Sequence, residues 1–255
     1  MRDRLETTKS KAEFLADVLN KTFYTLITTC SKADGVRDYF HVGVVAYSGL
    51  DARNSLQGTL SNGLLHPISE IADTPLRVET RFRETAGPDD VVLDEAVKFP
   101  IWLDPRNGGK TSMCAGLKIA HEAMQKWCVE HPTGYPPTVL HITDGHPTDG
   151  NPERYADLLK GLTTTDGPCL LFNLHLDVGS ALPQVFPNDE RMLHDRFGKT
   201  LFRMSSELPA HAAQIAKKRG RDVRPGARGF VFNAGVEEIV DFFDIGTRPA
   251  RIEDR

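Results

Sequence analysis

The chain has 255 residues, of which 40% are hydrophobic and 26% charged, an ordinary globular composition with enough length to enclose a substantial core. Its net charge of −4 gives no general drive toward nucleic acid or an anionic membrane surface, and the basic run 217-KKRGRDVR-224, interrupted by Asp222, reads as a solvated helix end. No apolar run reaches the ~18 residues of a transmembrane helix and the opening MRDRLETTKSKAEF has no apolar stretch, so neither a membrane span nor a signal peptide is expected.

The four cysteines, Cys30, Cys114, Cys128 and Cys169, form no C-x-x-C pair and read as reduced, mostly buried residues of a cytoplasmic protein. In chain order, residues 9–30 predict an amphipathic helix, with Phe14, Leu15, Val18, Leu19, Phe23 and Leu26 at helical spacing. The run 40-FHVGVVAYS-48 is continuously apolar and predicts a strand buried in a parallel sheet. Residues 49–75, rich in Gly, Ser, Asn and Pro, predict a long excursion, followed by the alternating 76-LRVETRF-82 and an extended stretch over 91–103. A helix is expected over 112–129, a buried strand at 138-TVLHITD-144, a short helix over 152–162 and a second buried strand at 169-CLLFNLHLD-177. The segment 200-TLFRMSS-206 reads as a short strand or extended loop, 207–219 as a helix, 228-RGFVFNA-234 as a strand and 236-VEEIVDFFDI-245 as a closing helix.

Strands alternating with helices imply parallel βαβ units. The expected fold class is therefore α/β, three-layer, with a doubly wound and mostly parallel sheet, in one domain over 1–255. In such folds ligands sit at the carboxyl ends of the strands, in the loops that lead to helices. That rule singles out two loops. The first, 107-NGGKTS-112, carries the GK[ST] ending of a phosphate-binding P-loop, but position 104, where the motif needs its first glycine, is Asp104. Its Gly pair reads as a turn, with Thr111 or Ser112 capping the following helix. The second, 141-HITDGHPTDG-150, places Asp144 at a strand end beside a glycine, suited to meeting a cation or to an Asx-type turn. His141 reads as a buried, hydrogen-bonded core residue and His146 as exposed, and their spacing is poor for zinc. Ser48 ends a strand without the flanking glycine of a nucleophile elbow.

Taken together, KSKAEFLADVLNKTF, YFHVGVVAYSG, NGGKTSMCAGLKIAHE, ITDGHPTDG, LLFNLHL, LFRMSSELP and ARGFVFNA make the chain resemble bacterial von Willebrand factor A domain proteins over nearly its whole length. The resemblance implies a metal-ion-dependent adhesion site, with Thr111 as the second-loop threonine and Asp144 as the third-loop aspartate. It also implies a cytoplasmic protein-binding module in bacterial signalling or stress response, binding a partner protein through an acidic side chain and using neither nucleic acid nor membrane. Lys110 departs from the family pattern, in which the threonine directly follows the glycines. The family's first loop, D-x-S-x-S, does not occur, since 51-DARNS-55 and 177-DVGS-180 have the wrong spacing. The expectation is a sheet missing its first central strand, with a true start upstream of Met1 or a degenerate copy as the two explanations. Magnesium prefers six oxygen ligands, so with Thr111 and Asp144 alone Mg2+ is expected to bind weakly or not at all, at a site built for binding and not for catalysis. The alternatives are a metal- or nucleotide-dependent enzyme using the 108–112 loop, and a degenerate scaffold without metal.

Overall fold

The structure, a computed structural model, describes residues 9–49, 51–86, 92–105, 109–176 and 182–248. In chain order the elements are α1 (Lys11–Cys30), β1 (Ser31–Lys32), β2 (Gly35–Val36), β3 (His41–Val42), β4 (Val45–Ser48), β5 (Asp51–Asn54), β6 (His66–Pro67), α2 (Ile68–Asp73), β7 (Arg77–Ala86) and β8 (Val92–Ile101). There follow α3 (Met113–Glu130), β9 (Thr138–Thr143), α4 (Glu153–Lys160), β10 (Thr163–Thr164), β11 (Gly167–Pro168), β12 (Leu170–Leu176), β13 (Gln184–Val185), α5 (Arg196–Met204), α6 (Ala210–Lys218), β14 (Phe230–Ala234) and α7 (Val236–Gly246). The described residues fall into two compact units: those of 9–44 with 54–105, and those of 45–53 with 109–248.

The first unit is organised by α1 and the ribbon β7–β8. Ser10 begins α1 with a capping box: its hydroxyl accepts from Glu13 N while the Glu13 carboxylate accepts from Ser10 N, which satisfies helix-start donors that would otherwise be orphaned. The apolar stripe of α1 (Phe23, Leu26, Cys30) packs with Leu56, Leu60, Ile68, Ile71, Trp102 and Leu103. Each such side chain, fully removed from water, contributes roughly 1.5–3 kcal/mol. Polar groups also enter the interior of this unit, where Asn20, Ser55 and His66 are buried. Asn20, 2% exposed, accepts from Trp102 N (2.8 Å) and Leu103 N (3.0 Å) and donates to Leu103 O (2.9 Å), so it closes the backbone accounting where β8 ends.

The second unit contains one four-stranded sheet in the order β13–β14–β12–β9. Strands β9, β12 and β14 run parallel, and two-residue β13 joins antiparallel at the edge. Leu171, Phe230 and Phe232 meet Met113 and Leu117 of α3, Ala156 and Leu159 of α4, and Phe197, Leu201 and Met204 of α5 in its core.

The doubly wound, mostly parallel sheet expected from the sequence is not what forms. Outside the four-stranded sheet the described strands make two-stranded pairs: β1–β2, β3–β6, β4–β5, β7–β8 and β10–β11. The apolar run 40–48 is the main cause. Instead of one buried strand it breaks into β3, antiparallel to β6, and β4, paired with β5. The break falls at Gly43, where a Cβ would lie 2.1 Å from Leu64 O, a close backbone approach that only glycine allows. Strand β9 consequently ends the sheet, with β12 as its only strand neighbour among the described residues. The stretches read as 76–82 and 91–103 become Arg77–Ala86, longer than its alternation showed, and Val92–Ile101, and they pair as a ten-rung antiparallel ladder from Arg77↔Ile101 to Ala86↔Val92. Segment 200–206, read as extended, lies largely in helix α5, which Asp195 caps by accepting from Gly198 N (2.8 Å).

Candidate functional site

The two loops singled out by sequence meet at the carboxyl end of β9 and the start of α3. Thr111 is brought to the residue that follows Asp144: a Cβ on Gly145 would lie 3.2 Å from Thr111 Oγ1. Backbone bonds fix this arrangement. Thr111 O accepts from Thr148 N (2.9 Å) and from the Thr148 hydroxyl (3.1 Å), and the Thr143 hydroxyl donates to Gly145 O (2.9 Å). The turn after β4 joins the cluster, with Gly49 N donating to Lys110 O (2.8 Å) and Ser112 Oγ donating to Gly49 O (2.7 Å). Gly49 takes a φ of +66°, which glycine supplies at little cost. Residues 107 and 108 of the glycine loop, 177–180 and Met1 lie outside the described residues.

The start of α3 corrects one sequence expectation. Neither Thr111 nor Ser112 caps the helix with its side chain, because the Ser112 hydroxyl is turned onto Gly49 O. The cap comes instead from Asp149, 35 residues away, whose two oxygens accept from Cys114 N (3.0 Å) and Ala115 N (2.9 Å). These are the donors an N-cap side chain normally reaches. A phosphate bound at this helix start would therefore have to displace a carboxylate that already holds it. Burial, with the Asp149 carboxylate beside it, pushes the Cys114 thiol up to about 11, so this buried cysteine stays protonated and is no nucleophile at neutral pH.

Beneath the loops runs a buried polar chain that sequence reasoning did not assemble. Asn173 Nδ2 donates to Ser205 Oγ (2.9 Å), and Ser205 Oγ donates to Leu201 O (2.7 Å). That orientation turns Asn173 Oδ1 toward His141 Nδ1 (2.7 Å), which therefore carries the ring proton of a neutral imidazole, leaving Nε2 to meet the Tyr47 hydroxyl (2.8 Å). The same hydroxyl lies 2.8 Å from Ile142 O. Burial pulls His141 down to about 4, so it is a structural neutral imidazole, in agreement with its reading as a core residue. His146 is exposed as expected, and its ring packs 4.3 Å from that of Phe197.

What remains open for chemistry is small. Asp144 is exposed and makes no hydrogen bond or ion pair among the described residues, and the hydroxyls of Thr111 and Ser48 make no hydrogen bond there either. The donors suit magnesium in kind, being hard oxygens, and fall short of it in number. Among the described residues no group of three or more His, Cys, Asp or Glu side chains is placed to hold a metal, and no helix is long and apolar enough to cross a membrane. Sequence reasoning missed Asp149, since nothing local marks it as the cap of a helix so distant in sequence. Comparison with protein-family models, with curated proteins and with solved structures finds no match for this chain.

Proposed function

We propose that the chain is a protein-binding module of von Willebrand factor A type whose binding pole is the Thr111–Asp144 loop pair. The observation that carries this reading is the meeting of Thr111 with Gly145, beside an exposed Asp144 that makes no hydrogen bond or ion pair among the described residues, at the end of a parallel strand. The reading rests on these loops and not on the sheet around them. One hydroxyl and one carboxylate would hold Mg2+ through at most two of its six positions, leaving it largely hydrated and weakly bound. A partner's Asp or Glu would add an oxygen and strengthen the metal as the metal strengthens it, since coupling between two ligands is reciprocal. Among the described residues the site contains no activated nucleophile: Cys114 is held protonated and His141 is buried in its own hydrogen bonds, which favours binding over catalysis. Four free, buried cysteines suit a reducing, cytoplasmic setting.

The test is a Mg2+ titration followed by backbone NMR. Millimolar binding that shifts residues 110–112 and 143–149, and is lost in both Thr111→Ala and Asp144→Ala, is the expected result. Binding that survives both substitutions, or partner capture unchanged by Asp144→Ala, refutes the role of the pole.

A further inference from the structure

The ribbon β7–β8 has two unlike faces. On one, Arg77 pairs with Glu79 (2.8 Å) and Asp104 (2.7 Å), while Arg81 pairs with Asp17 (3.0 Å) and Glu79 (3.4 Å). This face takes helix α1. Asp17 meets Arg81, whose guanidinium lies 4.3 Å over the Phe99 ring, and the Tyr24 ring lies 5.6 Å from that of Phe99. The cations of this face thus have acidic partners.

The opposite face presents Val78, Thr80 and Phe82, opposed across the ladder by Pro100, Lys98 and Ala96. Val78 is 55% and Phe82 71% exposed, an apolar pair left in water on a stiff strand. Between them Lys98 Nζ donates to Thr80 Oγ1 (3.0 Å) and has no ion-pair partner among the described residues. The pattern over these three rows is an apolar row, a lysine without an ion-pair partner among the described residues and a second apolar row. Alternate residues on one strand face are about 6.6 Å apart. Residues four apart in an α-helix rise about 6 Å, so a helix laid along the ribbon matches this repeat.

We infer that this face docks an amphipathic helix of a partner protein. That helix carries an Asp or Glu opposite Lys98 and an apolar side chain one turn to either side, set against Val78–Pro100 and Phe82–Ala96. The occupant's chemistry follows from Lys98, which has no acidic partner among the described residues, and from the chain's own use of the other face, where an acid of a helix meets a ribbon cation beside an aromatic contact. The inference is independent of Thr111 and Asp144, which belong to the other compact unit.

The test uses the full chain and a fluorescein-labelled helical peptide in which a glutamate is flanked, one turn away on each side, by leucines. Fluorescence anisotropy is expected to show binding that weakens about tenfold or more in Phe82→Ser and in Lys98→Glu. Lys98→Glu is expected to regain affinity for the peptide carrying lysine in place of glutamate. Both side chains are exposed, so unchanged melting curves verify that the variants fold. Absence of binding, binding indifferent to Phe82→Ser, or failure of the charge swap overturns the inference. So does Phe82-dependent binding to phosphatidylcholine–phosphatidylserine vesicles in place of the peptide, which would make the face a membrane contact. Phe82-dependent dimerisation in sedimentation equilibrium would make it a contact between copies, and overturns the inference equally.

Discussion

Asp149→Ala should destabilise the protein through a helix start to which it is not attached in sequence. Helix α3 exposes its first backbone donors toward the loop after β9, and the side chain of its own N-cap residue Ser112 is committed to Gly49 O. Asp149 supplies both missing acceptors, at 3.0 and 2.9 Å from Cys114 N and Ala115 N. Loss of an N-cap acceptor typically costs about 1 kcal/mol. Removing a negative charge from the positive end of the helix dipole adds roughly 0.3–1 kcal/mol. Both donors lose their partner, but water can reach part of the site, so the sum expected is about 1.5–2 kcal/mol. At this chain length that corresponds to a fall of roughly 3–8 °C in melting temperature. Asp149→Asn keeps one oxygen acceptor and loses the charge, so it should fall about midway. Urea denaturation of the three proteins, read by circular dichroism, gives the comparison. A change under about 0.5 kcal/mol for Asp149→Ala, the range of an ordinary surface substitution, would refute the capping role.

Gly116→Ala sits inside α3, where alanine would ordinarily stabilise by about 1 kcal/mol. Its Cβ would lie 2.7 Å from Tyr47 Cδ1, and the Tyr47 hydroxyl is anchored near His141 and Ile142, so thermal melting should show net destabilisation. Asn20→Ala strips Trp102 N, Leu103 N and Leu103 O of their buried partner and should cost about 2–4 kcal/mol in urea unfolding. His66 places Nδ1 2.9 Å from Glu70 Oε2 and Nε2 2.8 Å from Leu60 O, acceptors on both sides. Burial opposes its charge, but the Glu70 carboxylate and the Gly63 and Leu60 carbonyls outweigh that and raise its pKa above 6.5. A raised folded-state pKa stabilises below the unfolded value and is lost as pH rises through the folded one. Stability should therefore decline above pH 6.5, and that decline should be absent from the stability–pH curve of His66→Gln.

The helices were legible wherever one apolar stripe decided them. Helix α1 was expected over 9–30 and runs Lys11–Cys30, α3 was expected over 112–129 and runs Met113–Glu130, and α7 was expected over 236–245 and runs Val236–Gly246. Strands β9, β12 and β14 were legible as apolar runs because helices bury them. The run 40–48 was misread because continuous hydrophobicity does not reveal a break, and the contact that imposes it, Gly43 against Leu64 O, is tertiary. Segment 200–206 was misread from a short apolar stretch whose helical partners, Arg196 and Phe197, fell outside the window. At the site, Thr111 and Asp144 stood out because each sits at the junction of a loop with a regular element. Asp149, Tyr47 and Asn173 did not, because their roles depend on residues far away in the chain.

The central claim, that Thr111 and Asp144 form one binding pole, is tested most directly by titrating Mn2+, as a paramagnetic stand-in for Mg2+, and following water-proton relaxation. The account predicts weak, millimolar binding that Thr111→Ala and Asp144→Ala each abolish and that competing Mg2+ displaces. Micromolar affinity, or binding indifferent to either substitution, would contradict it.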